Sequence, residues 1–146
     1  MLCLSSEDGQ LLAVEARERF GLDIISIELV RISGKGFTSI RTLSVIEQII
    51  ADTFKSNPTS VLFYYCDFLN PIPSTSKTIP PQEYRSRLFS LMCQRYLSSH
   101  GIHDISEVII EVDGLDEPYF FHMICRNEHL PRVQHLAAHL KEDFEK

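Results

Sequence analysis

Arg31-Ile32-Ser33-Gly34-Lys35-Gly36, with Arg41 soon after, is the pattern in this chain most suited to chemistry. Two glycines let a backbone come close to a ligand. The free amides opening the helix that follows, together with its dipole, can hold an anion. Arg31, Gly34, Lys35, Gly36 and Arg41 are therefore the candidate cofactor-binding residues. The pattern lacks the Gly-Lys-Ser/Thr ending of a Walker loop, and Ser39 stands where a dinucleotide fingerprint has its third glycine. The plainer reading is a glycine turn carrying solvated bases.

Other reactive side chains are scattered. Cys3, Cys66, Cys93 and Cys125 form no CxxC pair, so they read as small buried hydrophobes rather than zinc ligands. Cys66-Asp67 closes an apolar run, at the strand end where α/β folds place ligands. A Cys66 nucleophile needs a histidine base, and His100 and His103 are the candidates. Asp67 as a cap or loop anchor is the simpler alternative. His135 and His139 stand four apart with Glu142 beyond them, a spacing able to hold a metal. Both point away from the apolar side of their helix, so the expectation is two solvated histidines and no metal site. His122, between Phe120 and Ile124, is expected to be buried and hydrogen-bonded.

The chain has 146 residues, 44% hydrophobic and 23% charged, enough for one core and one domain spanning 1–146. Disorder and a disulfide miniprotein are excluded. Residues 1–100 carry ten acids and ten bases, so the whole net charge of −6 lies in residues 101–146. An acidic surface repels phosphate backbones, which argues against general nucleic-acid binding and favours a basic partner or plain solubility. The apolar run Val61–Cys66 is too short to span a membrane. Met1-Leu2-Cys3 lacks the basic start of a secretion signal, so a cytoplasmic location is expected.

These residues must be positioned by recognisable elements. Leu2–Leu4 reads as a short strand. Leu12, Val14 and Ala16 alternate with charges as in a half-buried strand. Ile24–Ile32 is rich in β-branched residues and reads as a third strand. Ile40, Leu43, Ile46, Ile50 and Phe54 recur at helical spacing, predicting a helix from Thr38 or Ser39 to Phe54. Val61–Cys66 is apolar throughout, like a strand covered on both faces, and the strand–helix–strand order implies a parallel pair. Phe68–Pro80 is a long Pro/Ser/Thr loop. Pro81 opens a helix with Tyr84, Leu88, Leu91, Met92 and Tyr96 inward, closed by Gly101. Ile105–Val112 and Tyr119–Arg126 form a hairpin, and a final helix from Pro131 turns Val133, Leu136, Ala137, Leu140 and Phe144 inward. The expected order is β-β-β-α-β-α-β-β-α, an α/β (α+β) fold with a mixed sheet.

Arg31-x-x-Gly34-x-Gly36 between a strand and a helix resembles the acyl-CoA pyrophosphate loop of the GNAT acyltransferase superfamily. The element order over residues 10–126 is similar to a shortened form of that fold. The resemblance implies pyrophosphate binding by the amides of Gly34, Lys35 and Gly36, acetyl-CoA as cofactor, and Tyr96 as general acid. Tyr96 to Gly101 is one residue longer than the usual spacing. The sequence before Ile24 leaves no room for the two helices that shape the acceptor site in that family. Residues 40–67 and 84–89, with Phe54, Tyr65-Cys66-Asp67, Arg85, Arg87, Leu88 and Phe89, also resemble a family of small uncharacterised bacterial domains of unknown function.

The expected function is a non-catalytic partner-binding or regulatory module, of the antitoxin or immunity-protein kind. Its acidic C-terminal third, with the Phe68–Pro80 loop, would engage a basic protein, and no cofactor is needed. The alternative is an acyl-CoA-dependent N-acyltransferase using the Arg31–Gly36 loop. The sequence leaves the oligomeric state open.

Overall fold

The computed structural model describes residues 6–27, 40–66, 78–113 and 118–146. Their order is α1 (Ser6–Phe20), β1 (Asp23–Ser26), α2 (Ile40–Ser56), β2 (Ser60–Cys66), α3 (Pro81–Ser99), β3 (Ile105–Val112), β4 (Tyr119–Arg126) and α4 (Leu130–Phe144), with a 3-10 turn at Asn127–His129 before α4. The four strands form one mixed sheet in the order β1-β2-β4-β3, so the expected class is observed.

The expected strand around Leu12 to Ala16 is instead part of helix α1. In a strand, Leu12, Val14 and Ala16 would share one face. In the helix, Leu12 and Ala16 lie one turn apart and are buried, while Val14 swings to the exposed side. Leu, Ala, Glu and Arg are also good helix formers. Gly21 stops α1 at φ +62°, its N–H returning to the Arg17 carbonyl at 3.1 Å. That left-handed cap is where glycine is favoured. Leu2–Leu4 lies outside the described residues, as does the Ile24–Ile32 strand from residue 28 onward.

β1 pairs in parallel with β2, as the expected crossover requires, with Ile24 opposite Val61 and Ile25 opposite Leu62. β2 runs antiparallel to β4, and β4 antiparallel to β3. β2 therefore lies inside the sheet, consistent with its unbroken apolar sequence. β1, β2 and β3 share one direction, so their carboxyl ends meet at one edge.

The two faces of the sheet differ. On one, Val61, Phe63, Phe121, Met123 and Cys125 pack against Leu12 and Ala16 of α1 and Val133, Leu136, Ala137 and Leu140 of α4. The α4 residues are the expected ones, and Phe144 stacks on Phe121 with centroids 5.1 Å apart. The opposite face carries Leu62, Tyr64, Phe120 and Ile124 under Phe54 of α2 and Phe89 and Cys93 of α3.

Helix α3 departs from its expected orientation. The residues it buries are Gln82, Arg85, Ser86 and Ser90, while Leu91 is 63% exposed. Hydropathy places polar side chains in water, yet this stripe lies against the sheet. The sheet beneath it is polar in matching places.

Candidate functional site

Strand alternation assembles the site. Tyr64 on β2 and His122 on β4 are register partners pointing toward α3, and Glu107 on β3 points the same way. Ser86 and Ser90, one turn apart on α3, face down onto them. Ser86 Oγ lies 2.7 Å from His122 Nε2, and His122 Nδ1 lies 2.7 Å from Glu107 Oε1. The Tyr64 hydroxyl donates to Glu107 Oε1 at 3.0 Å, and the Ser90 hydroxyl donates to Oε2 at 2.8 Å. Gln94 Nε2 reaches Ser90 Oγ at 3.4 Å. The Tyr64 ring stacks on His122 at 4.5 Å, and Phe89 meets Tyr64 edge-on at 5.5 Å.

Glu107 anchors the cluster. Burial, the largest single influence, pushes its pKa up, but hydrogen bonds from His122, Ser90 and Tyr64 together outweigh it. The carboxyl is held below its ordinary value. An ionised Glu107 only accepts, so His122 Nδ1 carries a proton. When the ring is neutral, Nε2 is an acceptor and Ser86 donates to it.

Hydroxyl, imidazole and carboxylate thus stand in the sequence of a nucleophile, its base and an orienting acid. Attack by Ser86 would also need an approach path and donors for the developing oxyanion. Ser86 is 4% exposed and His122 is fully buried. Ser86 is the sixth residue of α3, where backbone amides are committed to the helix ladder. In this closed arrangement the chain of hydrogen bonds orders α3 over the sheet. His122 is buried and hydrogen-bonded, as its sequence context suggested. Ser86, Ser90 and Glu107 were missed. The available signal was the four-residue spacing of Gln82, Ser86 and Ser90, facing strands that carry Tyr64, Glu107 and His122.

The chain matches no protein-family model, no curated protein and no solved structure.

Of the sequence-derived candidates, Arg31, Gly34, Lys35 and Gly36 lie outside the described residues, as do Asp67 and most of the Phe68–Pro80 loop. Arg41 is exposed in the first turn of α2. Tyr96 is half-buried near the end of α3, its ring stacked on His100 at 4.0 Å. It lies about 22 Å along the axis from the start of α3, at 1.5 Å per residue. Cys66 ends β2 opposite Phe120, whereas β3 begins with Ile105 opposite Arg126. Six residues of β4 separate these positions, about 20 Å along the strand. His100 and His103, which precede β3, therefore lie at the opposite edge of the sheet from the backbone of Cys66. His135 is exposed, but His139 faces α1 rather than solvent and pairs with Glu15 at 2.8 Å. The seam between two packed helices, not the face of one helix, decides its surroundings.

The acidic surplus is partly neutralised locally. Asp104 pairs with Arg126, Asp143 with Lys146 at 3.1 Å and Glu145 with Lys141 at 3.7 Å. Glu107 is buried in the cluster, while Glu111, Asp113, Glu128 and Glu142 are exposed. Among the described residues, no helix is long and apolar enough to cross a membrane.

Proposed function

We propose that this chain is a partner-binding module that docks a basic polypeptide. The observation that carries this reading is the pair Val45 and Ile49, one turn apart on α2 and 54% and 60% exposed. Beside them Ile46 and Ile50 are half-buried, and Phe54 is buried at the helix end. The apolar arc of α2 is thus wider than the sheet beneath it covers, which is how a docking face differs from scattered surface residues. Exposed Glu111 and Asp113, at the end of β3, would steer a cationic partner toward the carboxyl edge.

The test is affinity capture from the native host, with the wild-type chain and Val45→Asp/Ile49→Asp compared at matched melting temperature. The reading expects a basic protein that is retained at low ionic strength, released by salt, lost with the double variant, and bound again when purified. Equal retention by both chains, or no basic protein at all, refutes it.

A second reading, an acyl-CoA-dependent N-acyltransferase, is favoured by one feature of the topology. The parallel β1–β2 pair is joined through α2, and in the sequence the glycine loop stands between the carboxyl end of β1 and the start of α2. Arg31, Gly34, Lys35, Gly36 and Arg41 would bind the cofactor, and Tyr96 would act as general acid. Calorimetry with acetyl-CoA should then give heat that Gly36→Glu removes. No heat at millimolar cofactor ends that reading.

A further inference from the structure

Helices α1 and α4 meet side by side on the apolar face of the sheet, and their seam gathers three metal-ligating atoms. His139 Nε2 lies 2.8 Å from Glu15 Oε1 and 3.3 Å from Asp143 Oδ2. All three ligand atoms fall within 4.8 Å of one another. Arg19 Nη1 also enters the group, 2.8 Å from Glu15 Oε1 and 3.0 Å from the same His139 Nε2.

These contacts cannot all be satisfied by hydrogen bonds. Arginine only donates, so Nε2 must offer Arg19 a lone pair. That lone pair then faces a carboxylate oxygen at 2.8 Å, acceptor against acceptor. A proton on Nε2 satisfies Glu15 but opposes the Arg19 N–H. A Lewis acid at the point where the atoms converge takes a lone pair from all three ligands at once.

We propose that Glu15, His139 and Asp143 form a zinc-class divalent-metal site clamping α1 to α4, with the Arg19 guanidinium standing in for the cation. In a tetrahedral site with bonds of 2.0 to 2.2 Å, ligand atoms sit about 3.3 to 3.6 Å apart. His139 and Asp143 already have that separation, Glu15 Oε1 would move off His139 Nε2 by roughly half an ångström, and the Glu15 and Asp143 oxygens lie within 4.8 Å of each other. The i,i+4 spacing on α4 supplies two ligands from one helix side, α1 supplies the third, and water completes the shell. One imidazole with two carboxylates suits Zn²⁺ and disfavours Mg²⁺ and Ca²⁺, which take all-oxygen shells. Phe20 flanks the His139 ring at 6.3 Å. The Arg19 side chain is 58% exposed and has room to swing out.

The test is calorimetry and thermal melting of the tag-free full chain, stripped with chelator, against ZnCl₂ and MgCl₂. The site predicts saturable Zn²⁺ binding with a raised melting temperature, no Mg²⁺ effect, and loss of both Zn²⁺ signals in His139→Ala and in Glu15→Gln. Arg19→Ala should tighten Zn²⁺ binding several-fold, whereas a purely structural Arg19 would leave it unchanged. Cobalt loading should show no thiolate charge-transfer band. No saturable Zn²⁺ heat, binding that survives His139→Ala, a thiolate band, or unchanged affinity in Arg19→Ala overturns the proposal. Metal-free melts of each variant establish that it is folded.

Discussion

His122 Nδ1 and Glu107 Oε1 lie 2.7 Å apart on the buried face of the β3–β4 pair, in a core that hydropathy would make wholly apolar. Their contact joins the edge strand to the interior strand, and Ser86 and Ser90 extend it to α3.

Glu107→Gln should destabilise the chain by about 2 to 3 kcal/mol, because a charged acceptor of three hydrogen bonds is removed inside the protein. The pH dependence has a defined sign. The folded-state pKa of Glu107 is lowered, so its stabilisation is complete above the unfolded value, about 4.3. It is lost as pH falls through the lower folded value. Urea midpoints measured below about pH 5 should therefore fall more steeply for wild type than for Glu107→Gln. Parallel curves would show that Glu107 is not held ionised by its neighbours.

Ser86→Ala leaves His122 Nε2 without its hydroxyl partner and should cost about 1 to 3 kcal/mol in chemical denaturation. In a His122→Phe background, Ser86→Ala should cost far less than it does in the wild type, since its imidazole partner is already gone. A fluorophosphonate probe should leave Ser86 unlabelled in the folded chain. Labelling at Ser86 would show that the Ser86–His122–Glu107 relay opens to solvent and can act as a nucleophile.

Cys93 and Cys125 should behave as inert thiols. Burial pushes the Cys93 thiol up to about 12, helped by Glu107 and Glu47, and burial raises Cys125 to about 11. The nucleophilic thiolate is then scarce at pH 8, about that of common alkylation conditions. Iodoacetamide followed by peptide mass spectrometry should find both positions modified only in denaturant. Modification of Cys125 without denaturant would contradict its burial.

Gly21 and Gly101 share φ +62° but should respond differently to alanine. At Gly101, which ends α3, a Cβ meets nothing within 4 Å, so only the left-handed backbone is penalised, about 1 to 2 kcal/mol. At Gly21 the Cβ would lie 3.2 Å from Arg132 Nη1. That guanidinium bonds the carbonyls of Phe20 and Gly21 at 3.3 and 3.1 Å. Gly21→Ala should therefore lower the melting temperature further than Gly101→Ala. Equal losses would mean that Arg132 moves aside at no cost.

Much of the fold was legible because periodicity is a local property. Val133, Leu136, Ala137 and Leu140 repeat at helical spacing and are buried as that spacing requires. The hairpin runs, the crossover helix and the left-handed glycine after α3 follow from equally local signals. Leu12 to Ala16 misled because an i,i+2 pattern and an i,i+4 pattern coexist there, and only packing against α4 and the sheet selects between them.

The candidate site was far less legible. Hydropathy marks Leu91 as core and Ser86 as surface, whereas α3 buries the serine and exposes the leucine. The sheet carries its own polar groups at 64, 107 and 122, and a helix laid over them gains more by satisfying those groups than by covering them with apolar side chains. The spacing of α4 likewise turns His139 off the core side toward water, while α1 returns to meet it.

The amino-acid order alone determined which segments are helix and which are strand for most of the described chain, the burial of α4, and the concentration of negative charge after residue 100, since each depends on neighbours a few positions apart. Only the tertiary structure decided that Ser86, Glu107 and His122 share one hydrogen-bonded chain and that Glu15 meets His139 and Asp143. Those partners are 15 to 128 positions apart where they cross between elements, and strand register and helix packing, not local spacing, bring them together.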